Sequence, residues 1–155
     1  MPVARGRHMG LDVGDRRIGV ALSDETATLA SALLTLTRAG AGKDAVMVAD
    51  LARKHGAASI VVGLPLNMNG TRGPQAEKVL VFVEGLRRRI AVPVVLRDER
   101  LTTVEADERL RAAGLGWKER KAMVDQVAAV VILQEYLDQA PAPPPPAPPV
   151  AKAGA

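Results

Sequence analysis

MGLDVGDRRIGVALSD, residues 9–24, reads as a β-hairpin. An apolar run from Met9 to Val13 enters Gly14-Asp15-Arg16-Arg17, and Ile18 to Leu22 returns to Ser23-Asp24. Gly and Asp supply the turn backbone, and the apolar runs on either side supply the strands. Asp12 breaks the pattern. An ionised carboxylate inside an apolar strand is costly unless something compensates it. Backbone N–H groups of the following turn would do so, and so would a bound metal ion.

Working outward, the chain alternates strands and helices. Residues 32–37 (ALLTLT) form a third strand, antiparallel to the second, and Gly40-Ala41-Gly42 breaks it. Residues 44–55 have apolar groups at Val46, Val48, Leu51 and Ala52, near helical spacing, and Gly56 stops them. SIVVGL, residues 59–64, is the continuous apolar run expected of a parallel strand covered on both faces. A polar loop, PLNMNGTRG, leads to Pro74, which suits a helix first turn. That helix runs to about Ile90, with Ala76, Val79, Leu80, Val83 and Leu86 facing in. Residues 93–97 are the fifth strand, ending in Asp98-Glu99-Arg100. Thr102 with Glu105 makes a capping box for a helix to about Ala113, and a last helix covers about Lys118 to Leu137. The order βββαβαβαα indicates an α/β domain with a mixed five-stranded sheet flanked by helices.

Residues 1–8 read as a flexible basic lead, 9–138 as one domain, and 139–155 as a Pro/Ala-rich disordered tail. The 155 residues suffice for one core, which is 48% hydrophobic overall but only 2% aromatic. There is no cysteine, which excludes thiolate metal sites, disulfides and cysteine nucleophiles. No apolar run reaches spanning length and no signal-peptide core is seen, so the expectation is a cytoplasmic protein without membrane contact. A net charge of +4 permits a polyanionic partner. With one Trp, one Tyr and one Phe, an aromatic stacking platform is not expected, and nucleic-acid contact should run through phosphates.

Two further acids stand at awkward places. Asp125 shares a helix face with Ala128, Ala129, Ile132 and Tyr136. It points at the sheet, or it pairs with Lys118 or Lys121 near the rim. Glu99 and its neighbour Asp98 end an apolar strand, a common place for sites in open α/β sheets and for ordinary solvated charges. Three convergent carboxylates would suit a hard divalent cation, Mg2+ or Mn2+, and phosphodiester cleavage. They should then lie within about 4–8 Å of one another. Neighbouring residues on a strand face opposite ways, so Glu99 rather than Asp98 should join Asp12. Arg16, Arg17, Arg97 and Arg100 flank the acids and could hold the scissile backbone. Asn67, Asn69 and Arg72 could contact phosphate or ribose, or belong to a plain solvated loop. Arg87-Arg88-Arg89 reads as a solvated helix end.

Four blocks, GLDVGDRRIGVALSD, IVVGLPLNMNGTRGPQAEKV, RDERLTT and KAMVDQVAAVVILQEYL, together resemble the YqgF family across residues 10–137. Its members are regarded as Holliday-junction resolvases or pre-16S ribosomal RNA nucleases with a ribonuclease-H-like fold. The resemblance implies strand order 3-2-1-4-5 and a metal-dependent nuclease that processes the 5′ end of pre-16S rRNA. It places Asp12, Glu99 and Asp125 in the catalytic, metal-holding roles. Alternatives within the same fold are a resolvase of branched DNA, working as a homodimer, and a non-catalytic RNA-binding ribosome-assembly factor; monomer or homodimer stays open. One departure stands out. Better-understood resolvases of the superfamily carry a catalytic glutamate at the end of the fourth strand. Here that strand ends Gly63-Leu64-Pro65, and Glu99, one strand later, would replace it from an adjacent position.

Overall fold

The computed structural model describes residues 5–99 and 102–139. Its elements are β1 (His8–Val13), β2 (Arg17–Ser23), β3 (Ala30–Thr37), α1 (Ala41–Lys54), β4 (Ser59–Leu64), α2 (Pro74–Arg87), β5 (Val94–Asp98), α3 (Thr102–Ala112) and α4 (Trp117–Gln139). The five strands form one sheet in the order β3-β2-β1-β4-β5. β1, β2 and β3 pair antiparallel, and β1–β4 and β4–β5 pair parallel. This is the mixed sheet expected of the sequence. Arg100 and the tail from residue 140 lie outside the described residues, as do the side chains of Thr102 and Glu105.

β1 is covered on both faces, and its alternation assigns each side chain. Met9, Leu11 and Val13 enter the larger core, with Val48 and Ala52 of α1 and Val79, Phe82 and Val83 of α2. Gly10 and Asp12 therefore face the other way, toward α4, whose Ala129, Ile132 and Leu133 pack with Ala21 and Val61. The result is three layers: α1 and α2, the sheet, then α4 with α3 packed beside it. β1 opens at His8, one residue earlier than expected, because its neighbours tie the chain down. Gly6 N–H donates to Glu25 O, and the Ala58 N–H donates to Arg7 O.

The buried face of α1 is Ala45, Val48, Ala49 and Ala52, at i, i+3, i+4 and i+7. Val46, expected inside, is 43% exposed. The small residues win because α1 lies close enough to α2 for Ala45 to approach Gly85. Among the described residues, no helix is long and apolar enough to cross a membrane.

Candidate active site

α4 descends onto the sheet at backbone distance, and three glycines allow it. A Cβ on Gly19 would sit 1.9 Å from the Asp125 carbonyl oxygen. On Gly10 it would meet Leu133 Cβ at 2.6 Å and Ala129 O at 2.9 Å, and on Gly63 it would meet Ile132 Cδ1 at 2.6 Å. Real Cβ atoms do not approach so closely, so β2, β1 and β4 present a flat strip to the helix. Gly19 lies directly opposite Asp12 in the β1–β2 ladder, and opposite residues of a pair share a face. The glycine that admits α4 therefore admits Asp125 beside Asp12.

The two carboxyl groups line the same pocket and interact with each other. Burial, and then the charge of Asp125, push the Asp12 carboxyl up from 3.8 to about 7. Asp125 takes the first of the two alternatives, and the side chain of Lys121 lies outside the described residues. Asp125 faces the sheet, and its cation is Arg17, whose Nε donates to Oδ2 at 3.0 Å. The hairpin turn closes through its own backbone, Gly14 N–H to Arg17 O at 2.8 Å.

Glu99 completes the wall of the same cleft. Its N–H donates to Leu64 O, continuing the β4–β5 pairing one residue past the strand. Its Cγ lies 3.0 Å from where a Gly63 Cβ would stand. The side chain that follows β5 thus lies over the glycine near the end of β4. Glu99 Oε1 is 3.8 Å from Arg97 Nε, and the Glu99 side chain is only 6% exposed. Asp98 is exposed, and it is absent from the cleft wall. Asp12, Asp125 and Glu99 line one cleft of about 180 Å³ with Val13, Gly14, Gly63, Pro65 and Gln75.

The arrangement is looser than three convergent ligands. Among the described residues no three acidic or imidazole groups stand as a ready metal cluster. Asp12 and Asp125 are in contact, while Glu99 is turned to Arg97. The donor set still fits a hard divalent cation. It is all oxygen, and a cation would offset both the burial of the Asp12 carboxylate and the Asp125 charge beside it.

The flanking residues divide. Arg17 and Arg97 are joined to the acids, whereas Arg16 and Arg72 are exposed. Asn67 and Asn69 face their own loop. Asn67 Nδ2 donates to Thr71 Oγ1, and Asn69 Oδ1 accepts from the N–H and Oγ1 of Thr71. A buried pair escaped the sequence reading. Asp44, 0% exposed, accepts from Arg38 Nε and the Ala39 N–H, and Arg38 Nη1 donates to Gly14 O in the cleft wall. Its only signal was an acid in the first turn of α1.

The family model for RuvX, described as Holliday junction resolvase, matches residues 6–139. The chain belongs to the RuvX family. This is the same family as the YqgF family of the sequence motifs. Among curated relatives of this RuvX chain, a protein of Thermoanaerobacter pseudethanolicus named "Putative pre-16S rRNA nuclease" is 49% identical over 133 residues, 85% of this chain and 96% of that one. One of Moorella thermoacetica, named alike, is 48% identical over 133 residues, 86% and 95% of the two chains. Among solved structures, Thermus thermophilus RuvC in complex with a Holliday junction substrate superposes with a TM-score of 0.56 at 15% identity, covering 86% and 94%. Fowlpox virus resolvase with junction DNA gives 0.52 at 12%, covering 86% and 97%. These likenesses place the RuvX sheet and helices in the ribonuclease-H-like fold.

Proposed function

We propose that this RuvX protein is an endonuclease that hydrolyses phosphodiesters of structured nucleic acid, processing the 5′ end of pre-16S rRNA in the cytoplasm. The observation that carries it is the meeting of Asp12, Asp125 and Glu99 in one cleft at the C-terminal end of β1. The names of the curated relatives support the RNA substrate.

Asp12, Asp125 and Glu99 would hold Mg2+ or Mn2+. When bound, the cation lowers the pKa of water and offsets charge on the leaving oxygen. The chain's own residues do the rest. The Asp12 proton must leave before that carboxylate can present anionic oxygens, and its value of about 7 makes that loss easy near neutral pH. Arg17, anchored on Asp125, and Arg97, anchored on Glu99, set two guanidinium groups beside the acids, where they orient the phosphate backbone. Arg16 and Arg72 extend the same cationic rim from exposed positions; Arg100 lies outside the described residues. Asn67 and Asn69 act by shaping the loop after β4.

The family description favours a second reading, resolution of four-way DNA junctions. It requires a homodimer, since a junction presents two symmetry-related cuts. A single assay separates the readings: purified full chain with Mg2+ or Mn2+, given precursor 16S RNA and, separately, a four-way DNA junction. Cleavage of the RNA, abolished by EDTA, is the expected result. Cleavage of the junction alone favours the resolvase. Binding of RNA without cleavage under every metal supports the non-catalytic assembly factor and overturns the proposal.

A further inference from the structure

We propose that Trp117 stacks on an unpaired base of the strand that enters the cleft, so that the preferred substrate carries single-stranded nucleotides beside the scissile phosphate. The proposal deepens the nuclease reading and rests on it.

The argument begins with the aromatic inventory. The chain has one Phe, one Tyr and one Trp. Phe82 is fully buried between α2 and the sheet, and Tyr136 packs near His8 with ring centroids 6.1 Å apart. Trp117 alone is spread on the surface, 62% exposed. A large π-surface left in water gains by being covered.

Its place follows from the direction of α4. Asp125 lies against Gly19, Ala129 against Gly10, and Gln134 bonds Ala30 N–H and Thr28 O. The helix therefore runs from the catalytic end of β1 back toward its start. Trp117 precedes Asp125 by eight residues, two turns, which carries it about 12 Å outward past the sheet edge. That is the end of the sheet at which the acidic cleft opens. The turn into α4 is held by Leu115 N–H to Leu110 O and by Arg120 Nη1 to Leu115 O, so the ring projects from fixed backbone. Lys118 follows Trp117 in the chain and Arg111 precedes it by six residues, both exposed.

An exposed ring at the cleft end of the sheet, with exposed cations near it in the chain, fits a nucleobase with its phosphates. The base must be unpaired, because duplex bases already stack on their neighbours. About 12 Å corresponds to roughly three or four stacked nucleotides from the scissile phosphate. This is a single stacking contact within a phosphate-dominated interface, not an aromatic platform.

Trp117 is the sole tryptophan, so its emission reports on the contact directly. Full-length protein in EDTA is titrated with a blunt RNA duplex and with the same duplex bearing a six-nucleotide single-stranded arm. Quenching by the armed RNA but not the blunt one is expected. Anisotropy of labelled RNA should show Trp117→Ala binding the armed RNA about tenfold more weakly or worse, with Trp117→Phe restoring most of the loss and the melting temperature unchanged. Unchanged emission at saturating armed RNA, or equal affinities for wild type and Trp117→Ala, overturns the proposal. So does an RNA-independent, concentration-dependent emission change with a sedimenting dimer that Trp117→Ala abolishes, for the ring then covers a second copy. Cleavage in Mn2+ is scored separately. Cleavage without quenching sinks the stacking contact alone, and quenching without cleavage sinks the nuclease reading alone.

Discussion

Asp12→Asn should stabilise the metal-free protein above neutral pH while abolishing cleavage. The folded protein holds the Asp12 proton to about 7, against 3.8 for the ordinary side chain. A group whose folded pKa is raised contributes its stability in full below the unfolded value. That contribution is lost as pH rises through the folded one. A rise of about 3 units corresponds to about 4 kcal/mol, lost between roughly pH 4 and pH 7. Asn is neutral throughout, fills the same volume and can donate to Asp125 as the protonated acid does. In EDTA the two proteins should be equally stable near pH 4. By pH 8 the variant should lead by about 2–4 kcal/mol, or about 6–12 °C in melting temperature. Comparing the two proteins cancels the pH dependence of every group that does not interact with Asp12. Urea denaturation at pH 4, 6 and 8 is the assay. A variant less stable than wild type at pH 8, or a gap that does not change with pH, would refute a carboxyl strained by burial and by Asp125. Added Mg2+ should narrow the gap by stabilising the wild type only.

The remaining expectations are structural and catalytic. Gly19→Ala places a methyl 1.9 Å from the Asp125 carbonyl, so α4 must lift; a loss of several kcal/mol by urea denaturation and of cleavage is expected. Gly42→Ala in α1 meets nothing within 4 Å and should be neutral or stabilising by about 0.5–1 kcal/mol. Glu99→Gln should cut single-turnover cleavage by orders of magnitude while Asp98→Asn stays within a few-fold, since only Glu99 lines the cleft. Asp44→Ala leaves Arg38, 15% exposed, without its carboxylate and should cost about 3–5 kcal/mol in denaturant titrations.

The strands were legible because Val, Ile and Leu runs bounded by Gly and Pro have few other solutions. Asp12, Glu99 and Asp125 stood out as acids where water is scarce, which is a local property of sequence. What could not be read depends on register and distance. The strip of Gly10, Gly19 and Gly63 exists only once β2, β1 and β4 are aligned. Arg17 and Asp125 are 108 residues apart, and nothing local marks Arg17 over Arg16 as the partner. The Ala-lined face of α1 escaped because hydrophobic pattern weighs Val46 above Ala45 and Ala49, while close helix packing favours the smaller side chains.

The claim at the centre is that Asp12, Glu99 and Asp125 form one divalent-cation site. Calorimetric titration of Mn2+ into the full chain and into Asp12→Asn, Glu99→Gln and Asp125→Asn tests it directly. Saturable binding by wild type, weakened at least tenfold in each of the three variants and unchanged in Asp98→Asn, is the predicted result. Equal Mn2+ affinity in wild type and all three variants would contradict the shared site.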